Sequence, residues 1–346
     1  MRKKFKVVSM GRVGTLAMNR FINNHPEICL PSFKEAARIF ADPKENIAKL
    51  LEGADHSEKV NGIIIHSPVF LDKKNRRALT KLNNIKTDAL LHLVRNPMEQ
   101  VKSWINHINA SAEIGILGWG KIPPTAKGLF EQYPQHFATV KSGMQCRTFY
   151  KGSSNIKLID FPSLSNTNVH NTMAGIFNFL GVDDYDLGEM IQQPQNNYTR
   201  ELLSRGLHFK LNGETVKVFM APVNLFFHDD KGIKPWVTIH DTQKIYKLCP
   251  TLPPMDGDLL FGAQSNDEFN KLSFKTRKMV SEGIQDILGE ILPVWAKQAE
   301  DIAQKIEANK LVNLREQDID FIKDTLKDDM EIFKRYHPEV QAKWGF

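Results

Sequence analysis

The sequence predicts an α/β chain: an open parallel sheet flanked by helices, followed by a mixed insert and a helical C-terminal region. Three observations carry this. Segments that read as strands at 5–10, 62–65 and 89–94 alternate with stretches of helical periodicity, the pattern of strands joined by crossover helices. Each segment ends in a polar motif: Gly11-Arg12-Val13-Gly14, His66-Ser67-Pro68 and Arg95-Asn96-Pro97. From about residue 274 apolar residues recur at helical spacing.

The elements follow in order. Residues 5–10 form a strand and Gly11 to Gly14 a turn. Residues 15–24 form a helix with Leu16, Met18, Phe21 and Ile22 apolar. His25-Pro26 stops it, because proline restricts the residue before it. Ile28 to Leu30 is a short strand, and 43–52 reads as a helix. Gly62 to Ile65 is continuously apolar, as a strand buried on both faces is, and Ala89 to Val94 reads as another buried strand. A helix runs from about Met98 to Ile108. Glycine and proline across 110–128 suggest a long loop or lid. Lys157 to Phe161 is a fourth strand, and Met173 to Leu180 a helix ended by Gly181. Between 190 and 270 turn residues are frequent, and Val218-Phe219-Met220 and Leu225-Phe226-Phe227 hint at extra strands. Ile287, Ile291, Leu292, Trp295, Ala299, Ile302 and Ile306 mark one amphipathic face. Ile319, Ile322, Leu326, Met330 and Phe333 mark another. The expected organisation is a core over 1–189, an insert or cap over 190–273, and a helical region over 274–346 packing on the core.

Composition narrows the function classes. The 346 residues are 41% hydrophobic and 25% charged, which excludes disorder or coiled coil throughout. Lys plus Arg number 46 and Asp plus Glu 40, a net charge of +6. That mild excess suits an anionic ligand at least as well as a nucleic-acid surface. No basic run exceeds Arg2-Lys3-Lys4, so no nucleic-acid partner is expected. The three cysteines, Cys29, Cys146 and Cys249, are far apart, which argues against a disulfide framework or a Cys-rich zinc site and for a reducing compartment. No apolar run approaches the ~20 residues that cross a bilayer, and no signal-type apolar region follows the basic N-terminus. A cytoplasmic location without a membrane partner is expected. Assembly into a homo-oligomer is left open.

Ligands of open parallel sheets lie beyond the carboxyl ends of the strands, so the polar motifs are expected to converge there. In Gly11-Arg12-Val13-Gly14-Thr15 the glycines allow backbone N–H groups to curl around an anion, the next helix N-terminus adds its dipole, and Arg12 adds a fixed charge. The loop lacks the lysine and second glycine of a Walker A motif, which disfavours ATP hydrolysis. Arg95 leaves a strand end, and Ser103 lies two helical turns on. Such a pair can clamp one phosphate from two sides. His66, directly after a buried strand, has the chemistry of a general base or a charge-stabilising donor. Glu35, in Pro31-Ser32-Phe33-Lys34-Glu35, can accept a proton. Singly, each residue is equally at home in an ordinary turn, surface pair or strand cap.

Taken together these segments resemble the PAPS-dependent sulfotransferases, whose donor is 3′-phosphoadenosine 5′-phosphosulfate. Gly11-Arg12-Val13-Gly14-Thr15 looks like that family's 5′-phosphosulfate loop, and Arg95 with Ser103 like its 3′-phosphate motif. His25-Pro26-Glu27-Ile28 and Lys34-Glu35 resemble the stretch after the first helix in heparan-type and tyrosylprotein-type members. His66-Ser67-Pro68 resembles both the His-x-Pro of small-molecule members and the Lys-Ser/Thr-Pro of heparan-type ones. Leu158 to Phe161, Ile176 to Val182 and the helix near 316–335 closing with Trp344 look like later family elements. The likeness covers 5–185 and the tail. The motif layout is nearest to heparan-type, tyrosylprotein-type and bacterial members.

The resemblance implies a P-loop-like phosphosulfate turn. It also implies an enzyme that moves a sulfuryl group from PAPS to a hydroxyl or amine of a small-molecule or saccharide acceptor, releasing adenosine 3′,5′-bisphosphate (PAP). Arg12, Val13, Gly14, Thr15 and Leu16 would hold the 5′ end, and Arg95 and Ser103 the 3′-phosphate. Glu35 or His66 would be the base, Glu35 favoured by the heparan-type layout, with Arg12 stabilising charge. No metal is required. Leu16 stands where many members have a second Thr or Ser, Arg12 replaces the commoner Lys, and the C-terminal Arg-Lys-Gly loop is missing. A nucleotide-dependent small-molecule kinase and a non-catalytic nucleotide-binding protein are the alternatives.

Overall fold

The computed structural model describes residues 3–30, 59–65, 86–114, 119–165, 167–188, 207–222, 237–241, 259–263 and 269–346. The chain divides into two compact units. One comprises Met1–Ile108, Ile122–Gln193 and Leu311–Phe346; the other comprises Asn109–Lys121 and Pro194–Lys310. Among the described residues no helix is long and apolar enough to cross a membrane.

The first unit is built on a parallel sheet of β1 (Lys4–Ser9), β2 (Ile28–Cys29), β3 (Val60–Ile65), β4 (Thr87–Val94) and β5 (Ser153–Asp160), in the order β2-β3-β1-β4-β5. β1 lies at the centre, and every residue from Phe5 to Ser9 is buried, as in a strand covered on both faces. Lys6 is the exception in chemistry. It is fully buried, its amine donates to Lys151 O at 3.1 Å, and burial pushes its pKa down to about 8.

The helices of this unit are α1 (Thr15–Asn23), α2 (Pro97–Ile114, whose last residues from Asn109 fall in the second unit), α3 (Ala126–Gln132), α4 (Pro134–Gly143), α5 (Cys146–Phe149) and α6 (Val169–Leu180). On one face of the sheet Phe5, Val7, Leu91 and Leu93 pack with Met18 and Phe21 of α1 and Met173, Ile176 and Phe177 of α6. Gly62 is forced by this packing: a Cβ there would run into Phe5 and Leu30. On the other face His92 meets Phe149 and Tyr150. Tyr150 Oη shares hydrogen bonds with His92 Nδ1 at 2.9 Å and His337 Nε2 at 2.5 Å. Burial holds His92 down at about 3, lowers His337 and raises Tyr150.

The expectation of a long loop or lid over 110–128 is partly corrected. α2 continues to Ile114, and α3 begins at Ala126. Thr125 Oγ1 accepts the Gly128 N–H at 2.9 Å, an N-cap that outweighs the local glycine and proline content.

The second unit contains α7 (Phe274–Ala308) and an antiparallel sheet of β6 (Leu207–Leu211), β7 (Glu214–Pro222), β8 (Val237–Asp241) and β9 (Leu259–Ala263), in the order β6-β7-β9-β8. β7 includes the expected strand residues 218–220; residues 225–227, like 43–52, lie outside the described residues. Asn212 and Gly213, with φ of 51° and 79°, make the β6–β7 turn, the Asn-Gly hairpin that primed turns prefer. Glu214 fixes the start of α7 through Ser273 and Thr276.

The chain returns to the first unit with α8 (Glu316–Tyr336) and α9 (Pro338–Lys343). Buried Asp318 accepts the Ala126 N–H at 2.8 Å. Asp329 pairs with Lys141 at 3.3 Å, which ties α8 to α3 and α4.

Candidate functional site

β1 and β4 are neighbours with Ser9 opposite Leu93, so the residues following each strand leave the same sheet edge side by side. That register brings Arg95 to Arg12 across 83 residues of sequence: Arg95 Nη1 donates to the Arg12 carbonyl at 3.1 Å.

The turn after β1 has an unusual backbone. Gly11, Arg12 and Gly14 all have positive φ, at 35°, 62° and 91°. Gly11 is required twice, because a Cβ would also sit 2.5 Å from Trp104 Cζ2. A Cβ on Gly14 would lie 2.9 Å from Phe161 Cδ2. Arg12 has no such excuse. An L-residue held in the left-handed region costs roughly 1–2 kcal/mol, so neighbouring groups must hold it there.

Those groups come mostly from α2. Asn96 Oδ1 accepts the Met98 N–H at 2.9 Å, and Pro97 occupies the first helical position, so only the capping Asn96 separates Arg95 from the helix. Gln100, Ser103, Trp104 and His107 then fall on one face, spaced i, i+3, i+4, i+7. Gln100 Nε2 donates to the carbonyls of both Met10 and Gly11 at 2.7 Å. Arg12 Nε donates to Ser103 Oγ at 3.2 Å. Trp104 packs on Gly11, donates through Nε1–H to Thr139 Oγ1 at 3.0 Å, and stacks on His136 with centroids 4.2 Å apart. The two ends of the turn are pinned by a 2.8 Å hydrogen bond between the Ser9 and Thr15 hydroxyls.

Electrostatically the site is cationic. Burial lowers Arg95 to about 10, Glu99 opposes that, and Arg12 adds to it; the guanidinium remains charged at neutral pH. Arg95 also lies over the Phe161 ring, 4.2 Å from its centroid, and its Nη2 is 3.9 Å from Glu99. His107 and His136 are each held at about 4. Burial is the cause for both, and for His107 the charges of Arg12 and His136 add to it. The C-terminal segment closes beside this edge. Trp344 Nε1–H donates to Asp160 Oδ2 at 3.4 Å, and Asn96 Nδ2 donates to the Trp344 carbonyl at 3.4 Å.

Of the residues expected from sequence, Arg12, Arg95 and Ser103 come together. Gly14 and Thr15 flank them, with the Thr15 hydroxyl engaged by Ser9. Val13 is 2% exposed and anchors the turn in the core. Leu16 lies in the first turn of α1. Glu35 and His66 lie outside the described residues. Gln100, Trp104, His107 and Phe161 were not among the site residues expected from sequence. The helical spacing of the first three from Ser103 was the signal that could have found them. Two guanidiniums and a hydroxyl so arranged can grip a phosphate-like anion from more than one side. No family model matches the chain, and no curated protein matches it.

Proposed function

We propose that the chain is a sulfotransferase that binds PAPS at the carboxyl edge of the parallel sheet and serves a hydroxyl- or amine-bearing acceptor. The observation that carries this reading is the convergence of Arg12, Arg95 and Ser103 around a turn whose arginine is held at φ 62°. The residues fit a donor with two anionic ends. The turn leads into a helix N-terminus, whose first N–H groups have no intrahelical acceptor. Arg95, backed by Phe161, offers a flat guanidinium suited to a phosphate.

When bound, PAPS supplies the sulfuryl group and leaves as PAP. In this scheme the N–H groups of residues 13–16 and the Arg12 guanidinium hold the 5′ end and stabilise charge developing on the leaving phosphate. Arg95 and Ser103 hold the 3′-phosphate, which selects this nucleotide over others. Glu35 or His66 takes the acceptor proton. Positioning and charge stabilisation carry the rate, as in phosphoryl transfer.

A thermal-shift comparison of PAP, adenosine 2′,5′-bisphosphate, AMP and ATP tests the reading. A ligand at 100 times its Kd adds about 2.7 kcal/mol of apparent stability. A shift selective for PAP and lost in Arg95→Ala is expected. No shift, or a preference for ATP, overturns the reading and favours the kinase or binding-protein alternatives.

A further inference from the structure

The face of α2 that meets the turn does not end at Ser103. Gln100 bonds the Met10 and Gly11 carbonyls, Ser103 accepts from Arg12, and Trp104 covers Gly11. His107 is the next residue on that stripe, about 6 Å further along the helix axis from Ser103. It is half-buried, its ring centroid is 5.9 Å from that of Trp104, and the charge of Arg12 reaches it. Among the described residues the charged or titratable groups that act on it are Arg12 from the turn and His136 from α4.

We infer that His107 is a further ligand-binding residue of this site, its imidazole donating to an oxygen of the 5′ anionic group beside Arg12. The inference rests on the proposed reading of the turn as the 5′-end site. The chemistry is directional. Half-buried and under the charge of a cationic arginine, the imidazole of the ligand-free protein is neutral. A phosphate bound against Arg12 reverses the local field, so the imidazole gains a proton and its hydrogen bond becomes charge-assisted. Ligand binding therefore takes up a proton at His107. A histidine kept only for packing has no such linkage.

Calorimetric titration of the full chain with PAP, in two buffers of different protonation enthalpy, tests this at about pH 5.5 and pH 8. The proteins are wild type, His107→Ala and His107→Gln. The variants share the titration of the ligand's own phosphates, so the difference between proteins isolates the imidazole. The expected result is about tenfold weaker binding in both variants at the lower pH, a smaller loss at the higher pH, and a greater net proton uptake in wild type than in either variant. His107→Gln carries the test should His107→Ala fail to fold. Variants that bind PAP as wild type does at both pH values, with the same proton uptake, overturn the inference and leave the donor-site reading intact. Absence of PAP binding in wild type overturns both.

Discussion

Gln100 is tied directly to the backbone of the turn after β1. It is fully buried, and its Nε2 donates to two successive carbonyls, Met10 and Gly11, at 2.7 Å each. Only the amide end can face two carbonyls, so the donor assignment is fixed by its partners. Its Oε1 is buried without a hydrogen-bond partner among the described residues. Gln100→Leu keeps the helix and the approximate volume but strips both carbonyls of their donor. Each orphaned carbonyl costs about 1–3 kcal/mol, or roughly 2–6 together. Removing the unsatisfied Oε1 returns about 1–3 kcal/mol. The net expectation is a loss of roughly 1–3 kcal/mol, with a weakened PAP complex because Gly11 and Arg12 lose their hold. Gln100→Glu sets a carboxylate against two carbonyl oxygens and is expected to be worse than leucine. Urea denaturation of the three proteins reads the order directly. A Gln100→Leu midpoint equal to wild type, or a glutamate variant as stable as the leucine one, refutes the reasoning.

Two further outcomes follow from the same geometry. Gly11→Ala combines a positive φ with a Cβ 2.5 Å from Trp104 Cζ2, so it should destabilise by roughly 2–4 kcal/mol in urea melts; an unchanged midpoint contradicts that packing. Stability should fall on acidification below pH ~6.5, because the unfolded chain then binds protons that folded His92, held at about 3, and His107 and His136, each at about 4, resist. For His92 alone, with no exposed surface, this is on the order of 4 kcal/mol by the time the pH reaches its folded pKa. Asp160 and Asp329, raised by burial, act the opposite way, but only in the window above their ordinary pKa. Thermal midpoints equal at pH 7.5 and pH 5 contradict the histidine account.

The parallel sheet was legible because three of its strands carry short apolar stretches that end in polar turns, and β1, β3 and β4 fall where those stretches lie. The convergence of Arg12, Arg95 and Ser103 followed from one topological rule about strand ends. The helices between 126 and 149 were not legible. α3 and α4 contain Gly128, Pro134 and Gly143, and their stability comes from caps and from Asp318 and Asp329 of a helix nearly two hundred residues away. The left-handed Arg12 was not legible either. Sequence shows that glycines can adopt positive φ; it does not show that an arginine will be held there by Gln100, Ser103 and Arg95. The β6–β7 turn is the counterexample, since Asn212-Gly213 is a readable hairpin signal that the reading passed over.

The central claim is that Arg95 and Ser103 grip a 3′-phosphate while the turn after β1 grips the 5′ end. The most direct measurement is the affinity of PAP relative to AMP, in wild type and in Arg95→Ala. The account predicts that wild type binds PAP more tightly than AMP. It further predicts that Arg95→Ala removes most of that advantage, a loss of roughly 1.5–3 kcal/mol for a charge-assisted bond, while AMP affinity, which feels only the lost Arg95–Arg12 bond, falls by less. Equal affinities for PAP and AMP in wild type, or an equal loss for both ligands in Arg95→Ala, would contradict it.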